Sequence, residues 1–480
     1  MTQMKTQIVS RTCIKPSSPT PHNLKTFKLS LLDQLSPAIH GNMTFFFPAD
    51  DAATTDPDLE FSRKSQLLQE SVSDTLTRFY PLAGRLLDAS TIDCNDSGGF
   101  FIEAQCDSPL SDFLSKPNFE TLDQFLPTTD PETMELSKDS MWLIKFTKFN
   151  CGGTTISVSL THKIADIAAL LTLLKSWTEA CRGLREPTLP DFTGSSLLPP
   201  REIPGMSGSL NIAGDKFIAR RFVISASKIA ELKEKVISMT GREQYYPSRV
   251  ELVLAKLWKC AAAVVKSKTG SFKPTALFQA VNLRGRMDPP LPDTVFGNFV
   301  WPFAVFVEEE SDLELHKLVQ SMRETKNDFL NNKANKFRGE GGFSALMEAL
   351  KERAEVFRNR KELVVYKCSS WCKFPLYETD FGWGKPAWMT SINKLVSNTI
   401  SLQDTTGGAV EVLMTLDEEE MSIFERHEEL LEFASVNPSI DVWFRSLLLK
   451  FNGFRVFQVF MKLVIVLVYY MSWLSFMNKW

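Results

Sequence analysis

The sequence predicts an α/β fold in two domains of similar size, and three observations carry that expectation. The chain is 480 residues long, beyond the length at which one hydrophobic core usually stops growing. Segments with alternating apolar residues are interleaved with segments of helical periodicity, the pattern of strands and helices packed in layers. Between Pro187 and Asp215 the chain gathers Pro187, Pro190, Pro199, Pro200, Pro204, Gly205, Gly208 and Gly214, a composition suited to a crossover between domains. The expected division is an N-terminal domain over 1–190, a crossover over 191–215, a C-terminal domain over 216–440 and an appended segment over 441–480.

Taken in order, Asn23–Leu32 and Met43–Phe47 read as extended segments. Leu67, Leu68, Val72, Leu76 and Phe79 share a helical stripe over Phe61–Phe79, which stops at Tyr80-Pro81 as a helix does before proline. Pro81 to Arg85 is a turn, and Asp96-Ser97-Gly98-Gly99 is a second turn before a strand over Phe100–Ala104. Thr154–Leu160 alternates, with Ile156, Val158 and Leu160 on one face and His162 continuing their parity. Ile167–Cys181 then has helical spacing, with Leu170, Leu171, Leu174 and Trp177 on one stripe. In the second half, Arg249–Val265 and Leu313–Leu330 read as helices and Ala276–Asn282 as a strand. No internal repeat is present.

Composition excludes some function classes. The 54 basic residues nearly balance 57 acidic ones, for a net charge of −3, so no basic field is available for nucleic acid. Eight cysteines lie at irregular spacings, which implies reduced thiols in a cytoplasmic setting. Cys368 and Cys372 are four apart with no histidine nearby, so no metal site is expected there. Met1–Ser18 lacks the apolar run of a signal peptide. At the other end, twelve of the fourteen residues over Leu463–Phe476 are apolar, short of the roughly 20 that span a bilayer. Extending to 454–476 brings in Arg455, Gln458 and Lys462. That stretch reads as a membrane contact, a helix packed on protein, or an unrelated appendage.

The chemistry centres on His162. Of five histidines, His22, His40, His316 and His427 lie in polar, unpatterned or helix-surface contexts. His162 follows a buried-looking strand, and Asp166 lies four residues on. An imidazole titrating near neutrality can take a proton from an alcohol or amine and return it to a leaving group. The plain alternative is a core histidine satisfied by Asp166, because HxxxD recurs by chance. Asp380-Phe381-Gly382-Trp383-Gly384 is a turn whose glycines ask for unusual torsions, and its plain reading is structural. Gly382-x-Gly384-x-x-Ala387 mimics a dinucleotide fingerprint, but Pro386 and the lack of a following amphipathic helix argue against one. In Asn282-Leu283-Arg284-Gly285-Arg286, an arginine leaving an apolar strand can pair with a buried carboxylate, Asp166 or Asp380, or meet a ligand phosphate. No nucleophile elbow, phosphate-binding loop or HExxH motif occurs.

Together these segments resemble the plant BAHD acyl-CoA-dependent acyltransferases. The shared features are His162-Lys163-Ile164-Ala165-Asp166 and Asp380 to Gly384, a little over 200 residues apart, with flanking similarity at Tyr80–Arg85, Asn282–Pro292 and Phe296-Gly297-Asn298. The similarity covers about 7–438. Thr161–Asp166 and Ser370-Trp371-Cys372 resemble its vinorine synthase-like branch of alkaloid O-acetyltransferases. Ile167 stands where many members carry glycine. The resemblance implies two mixed sheets flanked by helices, a chloramphenicol-acetyltransferase-like architecture, and an active-site channel between the domains. It implies His162 as general base, Arg284 holding Asp166 as a brace, and Asp380 as a required position supported by Gly382, Trp383 and Gly384. It also implies acyl-CoA, with acetyl-CoA foremost, as co-substrate, no bound cofactor, a small alkaloid- or terpenoid-like alcohol as acceptor, and a monomer. N-acylation of an amine is the second enzymatic reading. A non-catalytic, membrane-tethered family member is the reading from another class.

Overall fold

The computed structural model describes residues 4–49, 56–128, 131–203, 217–240, 246–339, 341–360, 362–391 and 396–440. The apolar stretch 454–476 and positions 204–215 of the crossover lie outside the described residues. Among the described residues, no helix is long and apolar enough to cross a membrane.

Two mixed sheets dominate. The first has six strands in the spatial order Thr6–Ile14, Gly99–Cys106, Trp142–Phe149, Thr154–Thr161, His40–Phe47 and Trp388–Thr390. Its second and third strands are parallel and the other neighbours antiparallel. The second has seven, in the order Val300–Val307, Thr275–Asn282, Val364–Ser370, Thr399–Asp404, Val410–Asp417, Phe217–Ile224 and Ser435–Val436. Thr275–Asn282, Val364–Ser370 and Thr399–Asp404 run parallel within it.

Local chemistry explains the element boundaries. The helix Pro57–Arg78 starts earlier than its apolar stripe because Asp56 caps it and Pro57 occupies the first turn. The helix Arg249–Thr269 opens on a capping box of Ser248 and Glu251 and closes on left-handed Gly270. The helix Leu315–Asp328 passes into a π-helical turn over Phe329–Lys333. The extended reading of Asn23–Leu32 is corrected. It divides into a 3₁₀ turn His22–Leu24, a strand Thr26–Lys28 and a helix Leu31–Leu35. The reason is a reciprocal capping box between Ser30 and Asp33, a local preference that an apolar run does not reveal.

Each sheet has its own core, and a third cluster joins them. In it Trp388 stacks on Phe46 at 5.0 Å, with Phe113, Ala219 and Leu413 alongside. Trp388–Thr390 comes from the second half of the sequence yet pairs with His40–Phe47 of the first sheet. Below it, fully buried Glu411 accepts hydrogen bonds from Trp388 Nε1, Gln403 Nε2 and Arg221 Nε. This places a strand of one half in the sheet of the other.

Candidate active site

His162 follows a strand, Thr154–Thr161, whose eight residues are all buried. It lies on the turn into the helix Ile167–Cys181, as its sequence context suggested. Both sides of its backbone are held. Its N–H donates to Ile39 O at 2.7 Å and its carbonyl accepts from Asn298 Nδ2 at 2.8 Å. The ring Nδ1 is buried without a partner, as is Oδ1 of Asn298. His162 lines a cavity of about 200 Å³ shared by both halves, with Asn42, Leu160 and Leu170 on one side and Ala280, Ser369 and Trp371 on the other.

Asp166 borders the same cavity and caps the helix, accepting from Ala169 N at 2.9 Å. Arg284 meets it in a two-pronged pair, Nη1 to Oδ2 at 2.8 Å and Nη2 to Oδ1 at 3.1 Å. Arg284 is fully buried, and its other donors reach Val295 O, Asn282 Oδ1 and Gly297 O. All five guanidinium N–H groups are therefore used, as burial of an arginine requires. Ile167 is the first helical residue after this cap, so the position needs no glycine torsion. Lys163, also buried, donates to Gln34 O at 2.6 Å and Ser36 O at 3.1 Å. Desolvation lowers its pKa, partly offset by the charge of Asp33.

No motif singled out Asp33, and Asn298 entered only through the flanking Phe296-Gly297-Asn298 similarity. The Asp33 carboxylate, 3% exposed, accepts from Ser30 N and Oγ through Oδ2, and from Asn298 N and Nδ2 through Oδ1. Burial pushes its pKa up from 3.8 to about 6, against the lowering effect of those hydrogen bonds. The Phe296-Gly297-Asn298 run and the capping spacing Ser30-x-x-Asp33 were the available signals, but 265 residues separate Asp33 from Asn298.

Asp380 is placed elsewhere. Its Oδ1 accepts from Gly382 N at 2.8 Å and Gly384 N at 3.0 Å, closing a turn in which both glycines have positive φ, 110° and 101°. Phe381 is buried against Trp177 at 4.6 Å and stacks on Trp383. Lys64 lies over the Trp383 ring at 5.2 Å. Trp177 lies ten residues along the helix from Ile167, a rise of about 15 Å. Neither Asp380 nor Trp383 lines the cavity of His162; the second half contributes Ala280, Val300, Ser369, Trp371 and Ser391 there. No dinucleotide-type helix follows Gly384; the chain enters the strand Trp388–Thr390.

His162 thus sits on a braced turn and lines a cavity that both mixed sheets border. The chain belongs to the Transferase family, the BAHD acyltransferases, whose sequence model matches residues 4–431. It is 37% identical over 461 residues to the epi-neemfruitin B 7-O-acetyltransferase of Melia azedarach, covering 91% of this chain and all of that one. It is 36% identical over 425 residues to the vinorine synthase of Rauvolfia serpentina, covering 86% of this chain and 95% of that one. The crystal structure of vinorine synthase superposes with a TM-score of 0.77 at 33% identity, covering 90% and 99% of the two chains. The fold extends to TRI101 of F. sporotrichioides complexed with coenzyme A and T-2, at a TM-score of 0.63, 17% identity and 86% and 99% coverage. The protein is an acyltransferase of this family.

Proposed function

We propose that the protein transfers an acetyl group from acetyl-CoA to a hydroxyl of an alkaloid- or terpenoid-like alcohol, with His162 as general base. The observation that carries this reading is His162 on a doubly held turn, facing a cavity lined by both halves of the chain. The named activities of the relatives, 7-O-acetylation of a limonoid among them, support the acyl group and the acceptor class. The coenzyme A bound in TRI101 supports the donor.

His162 Nε2 removes the hydroxyl proton as the acceptor oxygen bonds to the thioester carbonyl carbon. Charge collects on the former carbonyl oxygen, and a donor near it lowers the barrier. The Ser369 and Ser391 hydroxyls are the candidates at the cavity wall. The C–S bond then breaks, the thiolate departs, and the proton passes from His162 to sulfur. A thiolate leaves readily because thiols are far more acidic than alcohols. In this scheme the acyl group passes directly from sulfur to the acceptor oxygen, without an acyl-enzyme. In the same reading the enzyme acts as a cytoplasmic monomer. Vesicle flotation of the full chain against one ending at Ile440 tests a membrane contact through 454–476.

The deciding experiment incubates the protein with acetyl-CoA and a panel of polycyclic alcohols and amines while following free thiol. His162→Ala should lower turnover by at least ~10²-fold. Unchanged turnover in that variant removes His162 as the base. Faster turnover with amines than with alcohols would favour N-acylation.

A further inference from the structure

We infer that Asp33 is a positioning residue for His162, acting through Asn298 Nδ2 across the boundary between the two halves of the chain. This rests on the general-base reading and extends it to a residue outside both sequence motifs. The His162 peptide is gripped at two points, and one of them, its carbonyl, is held by a side chain: Asn298 Nδ2 at 2.8 Å. That amide has a second acceptor, Asp33 Oδ1, at 2.9 Å. With carboxylate and carbonyl oxygens on the same side, the amide can present only its NH₂ group there. A flipped amide would set oxygen against two oxygens. Asp33 therefore fixes the orientation in which Asn298 holds His162.

The backbone repeats the arrangement. Asn298 N donates to Asp33 Oδ1 at 2.6 Å, and the next amide, Phe299 N, donates to Asp166 Oδ2 at 2.9 Å. Two carboxylates from the first half thus take consecutive amides of one segment of the second half, and Arg284 draws in its Val295 and Gly297 carbonyls. Gly297 gives Asp33 room. Its φ is +137°, and a Cβ there would lie 3.3 Å and 3.4 Å from the two carboxylate oxygens. The roles of the two Asp33 oxygens are separate. Oδ2 caps the helix Leu31–Leu35 through Ser30, whereas among the described residues Oδ1 accepts only from Asn298. The helix cap and the hold on His162 can therefore be broken independently.

The test compares variants of the full chain, using acetyl-CoA and the fastest alcohol of the panel above. Asp33→Ala and Asn298→Ala should each lower kcat by about 10–100-fold while the KM for acetyl-CoA changes less than about threefold, the pattern of a misplaced catalytic group. The double variant should be no slower than the worse single one, because both remove the same contact. Asp33→Asn keeps an oxygen toward Asn298 and loses the cap, so it should recover most of the rate that Asp33→Ala loses. Ser30→Ala removes the other side of the cap and should stay within about threefold of wild type. Gly297→Ala should behave like Asp33→Ala. A readout independent of the acceptor is carbethoxylation of His162 followed by peptide mass spectrometry, expected to speed up several-fold in Asp33→Ala and Asn298→Ala with His22 unaffected. The inference is overturned if Asp33→Asn and Ser30→Ala lose as much as Asp33→Ala, if the two single effects multiply, or if His162 reactivity is unchanged. Should Asp33→Ala not fold, Asn298→Ala and Asp33→Asn decide the same question. Failure of the general-base reading is seen separately, as retained turnover in His162→Ala.

Discussion

Burial sets the Asp33 pKa at about 6, above its ordinary 3.8. A carboxyl raised in the folded state holds its proton more firmly there than in the unfolded chain. Its stabilising contribution is complete below pH 3.8 and is lost as pH rises through 6. The linkage relation gives a loss of about 1 kcal/mol between pH 5 and pH 7 for this group. Urea unfolding of wild type and Asp33→Asn at the two pH values should show the variant free of that loss; a parallel pH dependence in both would contradict it. Arg284 makes the opposite kind of contribution. Arg284→Ala leaves Asp166 buried beside an empty space, which typically costs about 3–5 kcal/mol, so the melting temperature should fall sharply. His162 was legible because one strand and one helix flank it in sequence. Arg284 had two candidate partners, Asp166 and Asp380, and only the fold brings one of them to 2.8 Å. Asp33 and Asn298 were not legible as a pair, since nothing in the chain announces a hydrogen bond between residues 265 positions apart.

At the scale of elements, the strand Thr154–Thr161 and the helix Ile167–Cys181 fall where their apolar periodicity placed them, although the strand is buried on both faces, its polar Thr155, Ser157 and Ser159 included. Leu31–Leu35 does not, because a capping box decided it. The turn at Asp380–Gly384 is an element of the same helix's support. Phe381 docks on Trp177, and Asp380 only ties the two glycine amides. Phe381→Ala should therefore destabilise by about 3–5 kcal/mol, as large aromatic truncations in cores do, while the folded fraction keeps its kcat. Thermal melts together with active-site-normalised kinetics check this. A large loss of kcat at unchanged stability would instead give the turn a role at the reacting atoms.

At the scale of the whole molecule, the two halves exchange parts. Trp388–Thr390 closes the open edge of His40–Phe47, and Arg284, Asn298 and Phe299 satisfy Asp166 and Asp33. A fragment of residues 1–203 would lose all of these together. The strand His40–Phe47, with Met43 and Phe45–Phe47 buried in the intact chain, would present an unpaired apolar edge. Trp388 would leave Phe46 uncovered. Asp166 would keep a burial site without its arginine, a cost comparable to much of a domain's net stability. None of this was legible in the division of the sequence at 190 and 216, because strand pairing across nearly 350 residues leaves no local pattern. The fragment is expected to aggregate when expressed alone and to become soluble when residues 217–440 are co-expressed. Size-exclusion chromatography of the fragment alone and of the co-expressed pair reads this directly. A monomeric 1–203 fragment with cooperative unfolding would show that the first half completes its own core, and the exchanged strand and ion pair would then serve only to align the channel walls around His162.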